Sequence, residues 1–220
     1  MSRPHVTLKL ATSLDGRIAT GSGESRWITG PLARAEVHRM RLACGAVMIG
    51  VGTARADDPE LTVRSDPPPR AQPLRIVLDS RFSLPLDGRL AVTARATPLL
   101  VIGAEGADEG QRLALQATGA ETARVAAGTG GVDLEAALAL LANRGLARVL
   151  VEGGGRLAAA LIGARLVDRV EWMRAPIVLG EEGVSAVGPI SLARLSEAPS
   201  FRRVALRELG PDLWESYERA

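Results

Sequence analysis

Three glycines in the stretch VEGGGRLAAAL, residues 151–161, could hold an anion. They follow an apolar run that ends at Glu152, and a helix pattern of small residues begins after them. A ligand can approach backbone N–H groups closely at glycines, and the start of a helix attracts negative charge, so a phosphate would fit. Alternatively, the glycines only allow a tight turn between a strand and a helix. Glu152 favours a ligand, because open α/β sheets bind ligands beyond the carboxyl ends of their strands.

Two known nucleotide motifs can be compared with this turn. Gly153, Gly155 and Ala158 match a loose dinucleotide fingerprint, and Glu171 lies near the spacing of its acidic ribose ligand. Too few residues follow Gly155 to complete a doubly wound dinucleotide fold, so we do not expect one to start here. A P-loop is excluded, because the glycines are not followed by Gly-Lys-Ser or Gly-Lys-Thr.

A second apolar strand also leads into polar residues, in the stretch MIGVGTARADDPELTVR (48–64), which supplies Thr53, Asp57, Asp58 and Arg64. The paired aspartates could be metal ligands or an acid/base couple. Adjacent side chains seldom converge on one ion, however, and Asp58-Pro59 is an ordinary start of a turn, so we expect no metal. The two histidines, His5 and His38, form no serine–histidine–acid pattern, and hydrolase chemistry has no support.

The elements that must position these residues alternate between strands and helices. Residues 6–10 alternate as a strand should, and 28–44 predict a helix with Thr29 or Gly30 near its cap. Short apolar runs predict buried strands at 46–51, 75–79, 98–103 and 147–153, and Asp133 can cap a helix that ends near Gly145. The last residues predict an antiparallel pair joined at Gly210-Pro211-Asp212. We therefore expect a three-layer α/β/α fold with a mixed, mostly parallel central sheet, in a single domain over 1–220.

The composition limits the possible partners. The 27 basic residues comprise Lys9 and otherwise arginines, while the net charge is only +2. The arginines form no basic run and aromatic residues make up 3% of the chain, so nucleic-acid binding is not expected. No stretch reaches the roughly 18 apolar residues of a membrane span and no signal-peptide pattern begins the chain, which predicts a cytoplasmic protein. One cysteine excludes an intramolecular disulfide and a cysteine-rich zinc site.

Five ordered motifs resemble one family. KLATSLDGRIATGSGESRWITG, VGTARADDPELTVR, RIVLDS, VEGGGRLAAALI and APIVLG follow one another as in the reductase domain of the bifunctional riboflavin-biosynthesis protein RibD. The resemblance runs from about Pro4 to the terminal hairpin. It implies a fold similar to dihydrofolate reductase, and usually a homodimer. The zinc-deaminase pattern of H-x-E and P-C-x-x-C is absent, so the resemblance is to the reductase alone.

The resemblance implies NADPH-dependent reduction of 5-amino-6-(5-phosphoribosylamino)uracil, whose ring-opened ribosyl imine accepts hydride at C1′. The family positions for substrate fall on Ser25, Arg41, Leu61, Arg64 and Glu152. Arginines suit the 5′-phosphate, because a guanidinium group makes paired hydrogen bonds to phosphate oxygens. Glu152 would accept hydrogen bonds from the pyrimidine or the ribose and take part in catalysis. The proton donor could be solvent, substrate or Asp57.

The family positions for NADPH fall on Ala11, Trp27, Thr53, Asp57, Ser80, Gly153, Gly154, Gly155, Arg156, Leu157, Ala158 and Ala159. The N–H groups of the three glycines would then hold phosphates of NADPH. The fold family also suggests a cis peptide between Gly153 and Gly154. Ser80 and Arg81 could reach a 2′-phosphate, or they could merely form a turn.

Several of these residues have a structural alternative. Trp27 could be a core anchor by residue type alone, although its motif favours the cofactor. Arg41 could lie along its helix surface, and Arg64 could be an edge charge of a strand.

Three functions remain open. The first is the pyrimidine reductase, whose substrate could also be the 2,5-diaminopyrimidinone precursor. The second is a reductase of the same fold for a pterin or another carbonyl compound, which would not need the two arginines Arg41 and Arg64. The third is a nucleotide- or nucleic-acid-binding protein without activity, suggested only by the pI.

Overall fold

The computed structural model describes residues 3–220. It contains thirteen strands, which are β1 (His5–Thr12), β2 (Arg17–Ala19), β3 (Ala46–Gly50), β4 (Leu74–Leu78), β5 (Leu99–Ala104), β6 (Glu121–Val125), β7 (Ala127–Gly128), β8 (Gly131–Val132), β9 (Arg148–Glu152), β10 (Arg169–Arg174), β11 (Val184–Ser185), β12 (Phe201–Leu209) and β13 (Asp212–Arg219). The α-helices are α1 (Pro31–Cys44), α2 (Val51–Asp57), α3 (Arg89–Val92), α4 (Glu109–Ala117), α5 (Leu134–Asn143) and α6 (Gly155–Gly163), and a 3-10 turn covers Leu195–Glu197.

The chain divides into two compact units. The first comprises His38–Leu150 with residues 3–5, and the second comprises Val6–Val37 with Val151–Ala220. Both therefore contain motif residues that the sequence analysis singled out. The single domain predicted over 1–220 stays a prediction.

The first unit is built on parallel strands. β3, β4, β5 and β6 are neighbours in this order, each pairing is parallel, and β9 lies beside β3. Met48, Ile76 and Leu100 are at most 1% exposed, as expected of short apolar strands that are covered on both faces. A hydrophobic cluster joins Val47, Ile49, Val77 and Val101 to the residues that follow the strands, among them Leu61 and Phe82.

The second unit is mixed. β1 pairs in parallel with β10, and β13 pairs antiparallel with both β10 and β12. β12 and β13 meet at a turn in which Gly210 has φ +69°, in the left-handed region that glycine adopts without strain. The predicted α/β class is confirmed, as are the mixed, mostly parallel central sheet and the antiparallel C-terminal pair.

The starts of two helices show how side-chain carboxylates fix the ends of these elements. Asp133 caps α5 by accepting a 2.9 Å hydrogen bond from the backbone N–H of Ala136, as predicted. α1 begins at Pro31, directly after the predicted cap region, and the backbone N–H of Gly30 donates to the buried carboxylate of Asp212 over 2.6 Å. None of the helices in residues 3–220 is both long and apolar enough to span a bilayer.

Candidate active site

The glycine turn connects β9 to α6 in the second unit, in the predicted order of strand, glycines and helix. Gly153 and Gly154 have φ +99° and +80°, a region that strains residues with a Cβ atom. Gly155 begins α6, and a Cβ atom there would lie 2.4 Å from the backbone oxygen of Ser185. Each glycine thus has a structural reason to be present, and phosphate binding at the turn stays a prediction.

The predicted cis peptide between Gly153 and Gly154 is wrong. In residues 3–220 the cis bonds are Arg26–Trp27 and Asp66–Pro67. The turn reverses direction through the two positive φ angles instead, and these need no cis bond.

Hydrogen bonds connect the residues before and at the start of β2 to the residues in and before β11, near the glycine turn. The carboxylate of Asp15 accepts hydrogen bonds from the backbone N–H groups of Leu179 (3.1 Å) and Gly180 (2.8 Å) and from the hydroxyl of Ser13 (2.6 Å). The guanidinium of Arg17 donates to the hydroxyl of Ser185. Because the backbone of Ser185 packs against Gly155, Arg17 supports the segment beside the glycine turn, and Asp15 fixes the residues that precede β11. Sequence reasoning missed them, although Asp15-Gly16 in the first motif is a typical turn sequence that could have drawn attention.

Asp15 should make the stability of the protein depend on acid pH. Its three hydrogen bonds, led by that from Ser13, lower the pKa of the carboxyl from 3.8 to about 2. A lowered pKa stabilises the folded state above the ordinary value, and this stabilisation is lost as pH falls towards the folded pKa. We expect Asp15→Asn to lower the thermal midpoint at neutral pH, and the difference from wild type to shrink on acidification.

Thermal unfolding followed by circular dichroism between neutral pH and about pH 3, below the ordinary aspartate pKa, would measure this difference. Asp87→Asn is the matched control, because Asp87 is also exposed. A difference that stays constant across this range would contradict the assignment of the effect to the charge of Asp15.

Trp27 lies on the loop before α1 and its side chain is not part of the core. It is 65% exposed, so the core-anchor alternative is wrong. The guanidinium carbon of Arg34 lies 4.5 Å from the centroid of the indole ring, and Arg34 also donates to the backbone oxygen of Thr29 over 2.8 Å. A cation covers one face of the ring in this way. Ser25, on the same loop, is half-buried.

Arg34 should protect Trp27 from small quenchers. In Arg34→Ala we expect acrylamide to quench the tryptophan emission more steeply, because the covered ring face becomes accessible. The same substitution in a Trp27→Phe background should change little, since Trp172 and Trp214 lie elsewhere and are half-buried. An equal increase in both backgrounds would mean that Arg34 acts on the whole unit and not on Trp27.

The remaining candidates of the second unit lie on or beside its strands. Glu152 is half-buried at the end of β9, and Ala11 of β1 pairs with Met173 of β10. Arg156, Leu157, Ala158 and Ala159 form the first turns of α6 after Gly155. Glu171, the potential ribose ligand of a dinucleotide fold, is buried on β10 and accepts hydrogen bonds from Trp214 and Ser216, each over 2.6 Å. Its carboxylate therefore stabilises the sheet, in agreement with our rejection of that fold.

In the first unit, α2 starts where β3 ends. It carries Thr53 and Asp57, which are both half-buried. The carboxylate of the adjacent Asp58 accepts a 2.7 Å hydrogen bond from the backbone N–H of Arg89 at the start of α3. In residues 3–220 no three His, Cys, Asp or Glu side chains cluster so that they could bind a metal.

Arg41, Leu61 and Arg64 come together in the first unit. The Nη1 atom of Arg41 donates to the backbone oxygen of Thr62 over 2.7 Å. Arg41 therefore contacts the segment that carries the other two residues, and the alternative of an arginine lying along its own helix is wrong. The Leu61 side chain is 4% exposed and belongs to the hydrophobic cluster, so only its backbone could face a ligand. Arg64 is exposed.

Ser80 follows β4 in a turn that Asp79 organises. The buried carboxylate of Asp79 accepts hydrogen bonds from the hydroxyl of Ser83 (2.9 Å) and the backbone N–H of Leu84 (2.7 Å). The hydroxyl of Ser80 packs on Gly131, where a Cβ atom would lie 2.4 Å from it, and Arg81 is exposed. Contacts within the protein account for the turn, and a role of Ser80 towards the 2′-phosphate stays a prediction.

Comparisons with known proteins identify the family of this chain. A model of the RibD C-terminal domain matches residues 4–214. The riboflavin biosynthesis protein RibD of Actinobacillus pleuropneumoniae is 35% identical over 98% of this chain and 57% of its own length. The chain thus spans little more than half of that relative. The 2,5-diamino-6-ribosylamino-4(3H)-pyrimidinone 5′-phosphate reductase of Methanothermobacter thermautotrophicus is 36% identical over 98% of both chains.

Solved structures show the same fold. RibD of Acinetobacter baumannii superposes with a TM-score of 0.83 and 30% identity, over 99% of this chain and 58% of that chain. Dihydrofolate reductase of Enterococcus faecalis, at 15% identity, covers 98% of this chain and 96% of its own with a TM-score of 0.56, which supports the predicted fold type. The chain belongs to the RibD C-terminal domain family, as its ordered motifs indicated.

Proposed function

We propose that this protein is an NADPH-dependent reductase that converts 5-amino-6-(5-phosphoribosylamino)uracil to its ribitylamino product in riboflavin biosynthesis. The observation that carries the proposal is the 36% identity, over 98% of both chains, to a protein named as a reductase of a ribosylaminopyrimidine 5′-phosphate. The match of the RibD C-terminal domain over residues 4–214 supports it independently.

The second unit carries a turn that suits a dinucleotide. Gly153 and Gly154 have positive φ angles, which favour glycine, and the nine-residue helix α6 begins directly afterwards. The N–H groups of such a turn suit phosphates, as does the positive end of the helix dipole. Trp27 offers an exposed ring for stacking, and Ala11 completes the family positions of this unit. When bound, NADPH supplies a hydride.

The first unit carries cations and polar groups for both ligands. Arg64 would bind the substrate 5′-phosphate through paired hydrogen bonds, with Arg41 fixing the backbone beside it. Thr53, Asp57 and Ser80 are the family positions for NADPH in this unit.

The reduction itself needs one hydride and one proton. The hydride adds to C1′ of the ring-opened imine, the C1′=N double bond becomes a single bond, and the nitrogen takes up the proton. Glu152 would orient the substrate by accepting hydrogen bonds from its pyrimidine or ribose. Asp57, solvent or the substrate itself would deliver the proton. Positioning of the two reactants would supply most of the acceleration.

A second candidate substrate is the precursor before deamination, the 2,5-diaminopyrimidinone ribosyl phosphate. The name of the Methanothermobacter relative favours it. A pterin or carbonyl reductase of the same fold is a weaker alternative, because it would leave Arg64 without a phosphate to bind.

The test is an absorbance assay with purified protein, each pyrimidine separately, and NADPH or NADH. Oxidation of NADPH with the aminouracil compound supports the first proposal, and preference for the precursor supports the second. If NADPH binds but neither compound is reduced, the proposed substrate class is wrong. Analytical ultracentrifugation of the same sample would test the homodimer that we propose from the family.

A further inference from the structure

The segment Glu60–Arg64 has the alternation of a strand without being part of one. Leu61 and Val63 are each 4% exposed and point inwards, whereas Glu60 and Arg64 are exposed. The segment has no regular secondary structure, so no neighbouring strand supplies its backbone with hydrogen bonds. A chain that buries alternate side chains must still satisfy its backbone groups.

Two arginines satisfy part of this backbone. Arg41 donates to the oxygen of Thr62 over 2.7 Å, and Arg75 donates to the oxygen of Glu60 over 3.4 Å. Arg75 is completely buried, and burial lowers the pKa of its guanidinium to about 10, which leaves it charged at neutral pH. It also donates to the hydroxyl of Thr93 over 2.7 Å. The first half of the segment is therefore tied to a rigid part of the unit.

Gln72 satisfies the backbone next to Arg64. Its side-chain oxygen accepts from the N–H of Val63 over 2.7 Å, and its side-chain nitrogen donates to the oxygen of the same residue over 3.1 Å. One primary amide thus offers Val63 the donor and acceptor that a neighbouring strand would offer. The N–H of Arg64 itself donates to Nδ1 of His38 over 3.2 Å.

Arg64 combines a fixed backbone with a free side chain. Within residues 3–220 its guanidinium makes no hydrogen bond, ion pair or ring contact. An exposed arginine on a mobile loop would lose conformational entropy on binding, and a fixed backbone reduces this cost. The guanidinium of Arg64 is therefore available to bind an anionic ligand.

We propose that Gln72 is a positioning residue for the substrate. Its amide fixes the backbone of Val63 through two hydrogen bonds, so that the neighbouring Arg64 is held where its guanidinium can bind the 5′-phosphate of the substrate. This inference rests on the proposed function, in which Arg64 binds that phosphate. Gln72 itself does not need to touch the substrate. None of the five family motifs includes Gln72, which ends the proline-rich stretch SDPPPRAQ.

The test is a double-mutant cycle in the steady-state assay of the full chain. Arg64→Ala should raise the substrate KM about tenfold through the loss of charge-assisted hydrogen bonds. Gln72→Ala should raise it roughly fivefold, with NADPH affinity and kcat nearly unchanged, because misplacing a binding group weakens ground-state contacts. The double variant should have the same KM as Arg64→Ala alone. Once the guanidinium of residue 64 has been removed, the position of its backbone no longer affects substrate binding.

Two further variants keep the result interpretable. Gln72→Glu retains the acceptor for the Val63 N–H but loses the donor, so its KM should lie between wild type and Gln72→Ala. Gln111→Ala replaces an exposed glutamine on α4 of the same unit and should leave KM unchanged.

The outcomes separate the inference from the proposed function. If Arg64→Ala raises KM but Gln72→Ala and Gln72→Glu do not, the hydrogen bonds of Gln72 are unnecessary for substrate binding and the inference is overturned. If the two effects multiply in the double variant, Gln72 acts independently of Arg64, and the inference is likewise wrong. If Arg64→Ala leaves KM unchanged in an active enzyme, the assignment of Arg64 to the phosphate fails first. Urea unfolding of each variant shows whether lost activity reflects lost folding.

Discussion

Gly155→Ala is expected to destabilise the protein by about 1–3 kcal/mol, the usual cost of forcing an extra carbon into a packed site. The added Cβ atom would lie 2.4 Å from the backbone oxygen of Ser185 and 3.2 Å from the backbone nitrogen of Gly188. Backbone atoms cannot rotate away as a side chain can. The clash would also break the 2.8 Å hydrogen bond from the Gly188 N–H to the Gly155 oxygen. Urea unfolding followed by circular dichroism measures the free energy of unfolding.

Gly163→Ala is the matched control for this substitution. Gly163 ends the same helix, and a Cβ atom there would meet nothing within 4 Å. Alanine is the better helix former by roughly 1 kcal/mol, so this variant should be as stable as wild type or slightly more stable. Equal stability of the two variants would show that the segment around Ser185 moves aside. If the turn holds NADPH phosphates, Gly155→Ala should also weaken NADPH binding, whereas Gly163→Ala should not.

Glu152→Gln is expected to lower kcat by about 10- to 100-fold, while NADPH affinity stays within about twofold of wild type. The substitution keeps the size and shape of the side chain but removes its charge. Hydrogen bonds to a charged acceptor contribute about 1.5–3 kcal/mol, which corresponds to the expected loss in rate if they orient the reacting substrate. Single-turnover assays would measure the chemical step, and titration of the tryptophan fluorescence would measure NADPH binding.

Glu208→Gln controls for the removal of a carboxylate from the second unit. Glu208 is exposed on β12, and its substitution should change neither kcat nor NADPH affinity. If Glu152→Gln weakens NADPH binding as strongly as turnover, Glu152 belongs to the cofactor and our assignment to the substrate is wrong. If neither quantity changes, the half-buried carboxylate has only a structural role.

The parts of the fold that depend on local sequence could be predicted. The cap at Asp133 and the turn at Gly210 follow from residue types that favour one backbone conformation. The buried parallel strands were recognisable because short continuous apolar runs are typical of strands that are covered on both faces. The order of strand, glycines and helix around Gly153 was predictable for the same reason.

Contacts made by irregular segments could not be predicted. No periodic pattern indicates that Asp15 binds the backbone of Leu179 and Gly180, which are 164 and 165 residues away. The contact between Gly155 and Ser185 also joins residues far apart in the sequence, so no local pattern indicates it. Gln72 is an ordinary polar residue in a proline-rich loop, and its role depends on a backbone segment that lacks a strand partner.

For Trp27, the residue type and the family motif gave opposite predictions of burial, and the prediction from residue type was wrong. Tryptophan is usually well buried, yet Trp27 is 65% exposed and stacks with Arg34. The family motif placed Trp27 among the positions for NADPH, and a side chain that contacts a ligand is expected to be exposed in the protein alone. The cis peptide expected at Gly153 shows the opposite failure. There a general property of the fold family was transferred to a turn that this chain builds with two positive φ angles.

The division of the chain has a consequence for its synthesis. Residues 38–150 of the first unit are continuous, so this unit can fold while later residues are still being translated. The second unit joins both ends of the sequence: β1 pairs with β10, and Asp15 bonds to the segment after it. β1 and Asp15 therefore leave the ribosome long before β10 and the segment after it have been synthesised. During that interval the nascent chain exposes the apolar side chains of β1 and its unpaired backbone, where a chaperone would have most reason to bind.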